Sequence, residues 1–197
     1  MKNIINGYLK IIKLKEMLRT GWIEVGVSKE KVESLMDHIG GTIIFAMLIN
    51  DAKNLSLDMS KVYEMIAINE FKKLEKHREI SIGDNNTYSD DKTLEFIYSL
   101  SNSDKLLSLY KELQEGVSAE AKFVRMITKL ESDIQAKYYE KIGEFTLENA
   151  KKDIEGYPEE LKAKLTNICK ASDGWLAYDA QFYDDFFKEL SDIIGKI

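Results

Sequence analysis

A chain of 197 residues with 44% hydrophobic content is long enough to bury one sizeable core. Its 34 acids and 28 bases give a formal charge of -6 spread along the whole sequence, which excludes a basic face for a nucleic-acid polymer. A single proline and 11 glycines leave few enforced helix stops, so the expectation is all-α and an all-β fold is excluded.

The first apolar set, Ile5, Tyr8, Leu9 and Ile12, recurs at helical spacing and continues to Met17, giving a helix that ends near Arg19, Thr20 and Gly21. A loop through Trp22 follows. Ser28 can cap a second helix that buries Val32, Leu35, Met36, Ile39, Ile43 and Met47 and closes at Asn50 and Asp51. Asp37 and His38 ride on it. The pair Gly40-Gly41 weakens this helix and points to close backbone packing there. Asp58 or Ser60 caps a third helix with Val62, Met65, Ile66 and Ile68 inward and a charged continuation through Arg78. Gly83 to Asn86 reads as a loop. Further helices run from Ser89 to Leu100, Ser103 to Glu115 and Ser118 to about Glu140. Pro158 opens another, and Tyr178 to Ile194 forms the last, with a stripe of Tyr178, Phe182, Phe186, Phe187 and Leu190 that is core or else a homodimer face.

Cys169 is the sole cysteine, so an internal disulfide and a zinc finger are excluded and a reducing cytoplasm is the natural compartment. No signal-peptide pattern opens the chain, and no run of about 18 uncharged apolar residues occurs, so no membrane partner is expected.

Two stretches carry a resemblance. Leu18-Arg19-Thr20-Gly21-Trp22, then Gly26-Val27, Val32-Glu33-Ser34 and Asp37-His38, resemble the opening of the HD-domain 5'-deoxynucleotidases. Glu115-Gly116, Ala119 to Val124, Lys129-Leu130-Glu131, Gln135-Ala136 and Tyr138 resemble that family's last ligand-bearing helix. Lys61 to Ile68 is similar to the helix that leads into its His-Asp dyad. The resemblance implies a single-domain helical bundle of about eight or nine helices. An HD-like domain is expected over 1–145, with a C-terminal helical extension over 146–197 packed on it.

In that family a divalent ion is held by a first histidine, the dyad and a late aspartate, and it activates water to attack the phosphorus of a nucleoside monophosphate. Carried over, the first histidine is His38, the dyad falls on Asn69-Glu70 and the late aspartate on Thr128. Only His38 keeps the family's ligand type. A second register stays open, because Glu79 and Gly83-Asp84 match the family's acid and water-positioning carboxylates. Counting back from them places the dyad at Glu75-Lys76. Arg19 and Trp22 match positions that line the substrate pocket, where a guanidinium pairs with phosphate and an aromatic packs on the sugar. An exposed arginine and a core tryptophan would read the same way in sequence. Lys129 could add a second cation.

The resemblance implies a small phosphate-containing ligand and, if catalysis is retained, manganese, cobalt or zinc; without catalysis no metal is required. Two functions follow: a phosphohydrolase with its metal chemistry weakened or lost, or a non-catalytic nucleotide-binding or regulatory module on the same fold.

Overall fold

The structure, a computed structural model, describes residues 2–76, 90–102, 104–150, 159–166 and 168–197. Among them the secondary structure is helical apart from one isolated antiparallel bridge between Leu18 and Ser34. The helices are α1 (Lys2–Ile11), α2 (Thr20–Glu24), α3 (Leu35–Lys53), α4 (Met59–Asn69), α5 (Phe71–Lys76), α6 (Asp90–Ser101), α7 (Asp104–Glu115), α8 (Ala119–Lys141), α9 (Leu147–Ala150), α10 (Glu159–Thr166), α11 (Ala171–Asp179) and α12 (Asp185–Lys196). The all-α expectation holds. The segments outnumber the expected eight or nine because α2, α5 and α9 are short pieces that periodicity merges with a neighbour or a loop.

The chain gathers into two compact units. The first takes the described residues within 1–18, 33–80 and 86–127, and the second those within 19–32, 81–85 and 128–197. The boundary thus falls between Ile127 and Thr128, inside α8.

In the first unit α1 lies along α6, and α4 packs against α3 and α7. Leu14, Leu35, Val62, Met65, Ile97, Leu113 and Ile127 are fully buried and form its core. Gly7 sits against the Leu100 carbonyl of α6, where a Cβ would collide with backbone. At the end of α7, Gly116 takes a positive φ of 67°, which a residue with a side chain rarely adopts, and the Arg125 guanidinium covers the helix terminus by donating to the Leu113 carbonyl at 3.0 Å.

Several sequence expectations need correction: the first helix closes at Ile11 and not near Arg19, and Met47 is exposed rather than buried. The second helix starts at Leu35 and not after Ser28: Ser34 accepts from the Asp37 amide at 3.1 Å while Asp37 Oδ2 accepts from the Ser34 amide at 2.9 Å, and this reciprocal box fixes the start. Gly40 does not mark close packing, since a Cβ added there meets nothing within 4 Å. The Tyr178 to Ile194 helix is interrupted. A 3-10 turn at Ala180–Phe182 leads to extended Tyr183, and Asp184 restarts the helix by accepting from the Phe187 amide at 2.9 Å.

In the second unit, α11 packs on α9, α10 and α12. An aromatic cluster forms its core: Trp22 is stacked on Trp175 with centroids 4.7 Å apart and meets Tyr139 and Phe145 edge-on at 5.2 and 6.3 Å. No helix among the described residues is long and apolar enough to cross a membrane.

Candidate functional site

The capping box has a chemical consequence in the first unit. It places His38 in the opening turn of α3, where the residue is 2% exposed. A ligand atom of Glu33, on the chain just before the box, comes within 4.8 Å of a ring nitrogen of His38. An imidazole and a carboxylate at that separation suit a borderline divalent ion, so this pair is the nucleus of a cation site.

Asn69 and Glu70 lie at the end of α4. Asp58 starts that helix by accepting from the Lys61 amide at 3.2 Å, and the helix closes at Asn69 with Glu70 as the residue that ends it. Glu70 is 4% exposed and both its oxygens are engaged. The Asn69 amide donates to Oε1 at 2.8 Å, and the Lys73 ammonium stands 2.7 Å from Oε2. Burial pushes the Glu70 carboxyl up, but Lys73, His38 and Lys72 together outweigh it and hold the group well below the usual carboxylate range. Glu70 therefore senses His38. In the Asn69-Glu70 register the dyad carboxylate is thus near that histidine. The side chain of Glu75, together with Glu79, Gly83 and Asp84, lies outside the described residues.

In the second unit, Arg19 precedes α2 and donates from Nη2 to the Ser132 hydroxyl at 3.2 Å. Its guanidinium carbon is 5.6 Å from the Trp22 ring centroid. Trp22 is 1% exposed, enclosed by Tyr139, Phe145 and Trp175. Its ring is thus a core platform that supports Arg19. Thr128 is half-buried on α8 and its carbonyl accepts from Ser132. One turn further on, Glu131 is 9% exposed.

Sequence reasoning passed over four groups. Lys73 read as part of a charged stretch, yet its half-buried side chain pairs with Glu70. Asp133, fully buried on α8, accepts from the Tyr183 hydroxyl at 2.6 Å, and among the described residues its other oxygen has no hydrogen-bond partner. Burial and the neighbouring Asp179 push the Asp133 carboxyl up to about 8, against the pull of Tyr183 and Lys129. Burial and Asp133 likewise push the Tyr183 hydroxyl up. Asp179 sits 2.8 Å from Lys129. No local signal marked the last two acids, because each shares its helix with at least one other charged residue and its partner is about 50 residues away and invisible to spacing.

The HD domain family's sequence profile matches residues 11–168, and the chain belongs to that family. It is 30% identical over 148 residues to the human 5'-deoxynucleotidase HDDC2, covering 68% of this chain and 67% of that protein. The Xenopus laevis 5'-deoxynucleotidase HDDC2 is likewise 30% identical over 150 residues, covering 68% of this chain and 69% of that protein. Among solved structures, a conserved hypothetical protein from Pyrococcus furiosus superposes with a TM-score of 0.63 at 17% identity, covering 94% of this chain and 98% of that one. A Magnetospirillum magnetotacticum protein described as a predicted metal-dependent phosphohydrolase gives a TM-score of 0.63 at 13% identity, covering 99% of this chain and 90% of that one. At those identities the likeness is one of fold.

Proposed function

We propose that this HD-domain protein binds a nucleoside monophosphate or similar small phosphate ester and that its metal-dependent hydrolysis is weakened or lost. The observation that carries this reading is the ion pair between Lys73 and Glu70 at 2.7 Å. Glu70 occupies the dyad position by the family's pattern, and a divalent ion there would have to displace an ammonium that already neutralises the carboxylate in a buried setting. Asn69 offers an amide oxygen where the family has imidazole, and Thr128 a hydroxyl where it has carboxylate. Both exchanges remove donor strength. The donors present suit a divalent cation in part only, through Glu33 and His38.

Phosphate binding does not need the dyad. Arg19 can make charge-assisted hydrogen bonds to a phosphoryl group, and Lys129 adds a second positive charge in the same unit. The names of the curated relatives, 5'-deoxynucleotidases, support a nucleotide as ligand.

The test is metal stoichiometry of the purified protein by mass spectrometry, with phosphate release from deoxynucleoside monophosphates measured after manganese, cobalt or zinc is added. Sub-stoichiometric metal and negligible release are expected. One tightly held ion per chain with turnover at the usual rate of about 1 per second or faster would favour the intact hydrolase instead.

A further inference from the structure

The cations assigned above to phosphate already face a carboxylate from the C-terminal segment. Asp179, the last residue of α11, is 5% exposed, and its Oδ1 lies 2.8 Å from the Lys129 ammonium. The Arg19 guanidinium is near enough to pull on the same carboxyl. Three residues on, the Phe182 ring centroid is 4.2 Å from the Lys129 ammonium, and Tyr183 then hydrogen-bonds Asp133. Lys129 and Asp133 are one turn apart on α8, so residues 179–183 grip a single helical face.

A carboxylate and a phosphomonoester make the same demands of an ammonium and a guanidinium: an anionic oxygen pair within hydrogen-bond reach. We propose that Asp179 is an internal pseudo-ligand, holding Lys129 and Arg19 in the ligand-free protein and competing with the phosphoryl group for them. Residues 179–183 must yield for the ligand to bind. The inference rests on the reading that Arg19 and Lys129 serve phosphate.

Two features distinguish this contact from a merely structural ion pair. The Lys129 side chain is 34% exposed while that of Asp179 is 6% exposed, so an anion from solvent can reach the cation without first passing its partner. Burial acts against the charged form of Asp179, so release of the segment lets its carboxylate regain hydration and recovers part of the energy lost with the ion pair. If Asp179 holds the cations about nine-tenths of the time, apparent phosphate affinity is reduced about tenfold.

Calorimetric titration of the full-length protein with inorganic phosphate and with dAMP tests this. Asp179→Asn removes the charge and keeps the shape, so both ligands should bind about tenfold more tightly than to wild type. Asp179→Asn combined with Lys129→Met should lose that gain. If wild type binds phosphate and Asp179→Asn binds it no better, the pseudo-ligand is overturned while the phosphate reading stands. A gain for dAMP without one for inorganic phosphate also overturns it, because the phosphoryl group is then not what Asp179 excludes. If neither protein binds either ligand, both readings fall. Hydrogen exchange on wild type needs no variant: residues 176–183 should lose protection as phosphate saturates, and unchanged or increased protection overturns the proposal.

Discussion

Asp133 offers a test that needs no knowledge of the ligand. Its carboxyl is raised from 3.8 to about 8 because it is fully buried beside Asp179. The folded state therefore keeps a proton that the unfolded state releases. This group's contribution is full below the unfolded value of 3.8 and is lost as pH rises toward about 8. Between pH 5 and 7 the loss is about 1.4 kcal/mol per pH unit from this site alone. Asp133→Asn mimics the protonated acid and still accepts the Tyr183 hydroxyl, so it should flatten that slope. At pH 7 it should exceed wild type in stability by about 2 to 4 kcal/mol, the upper end corresponding to the part of the shift between the unfolded value and pH 7. Urea unfolding of both proteins at pH 5, 6, 7 and 8 measures the difference. Parallel stability curves, or a variant less stable at pH 7, would refute the burial of an uncharged Asp133.

Other consequences follow from the same contacts. Tyr183→Phe leaves a second Asp133 oxygen without its donor and should cost about 1 to 3 kcal/mol in denaturant unfolding. Ser34→Ala breaks the box that starts α3 and should cost about 1 kcal/mol. Trp22→Ala opens the aromatic core of the second unit and should cost about 3 to 5 kcal/mol, a structural loss that appears without any ligand. Lys73→Met strips Glu70 of its buried cation and should cost about 3 to 5 kcal/mol. Added manganese should then raise the melting temperature of Lys73→Met more than that of wild type, and an equal shift in both would show that Lys73 does not compete with a metal.

Helix content and the starts of α4 and α8 were legible because caps and 3.6-residue spacing are local signals. Asp58 caps α4 as its sequence context suggests. Ser28 was misleading, since any serine before an apolar run can cap. Only the reciprocal partner Asp37, three residues after Ser34, distinguishes the true start. The break at Tyr183 was hidden because an aromatic stripe satisfies helical spacing whether or not the backbone is continuous. The resemblance points to Asn69-Glu70 as one register of the dyad, but not to the pairing of Glu70 with Lys73. A lysine in a lysine-rich stretch gives no sign that its ammonium is committed to a buried carboxylate. Asp179 with Lys129 is a contact across 50 positions, and nothing local encodes it.

Binding without turnover can be read in one paired measurement. Wild-type protein loaded with manganese is titrated with dAMP in a calorimeter, and phosphate release is followed under the same conditions. Binding should weaken as salt is raised, because Arg19 and Lys129 supply the attraction, with little or no phosphate released. Release at rates ordinary for an enzyme, or no binding at any salt concentration, would contradict binding without turnover.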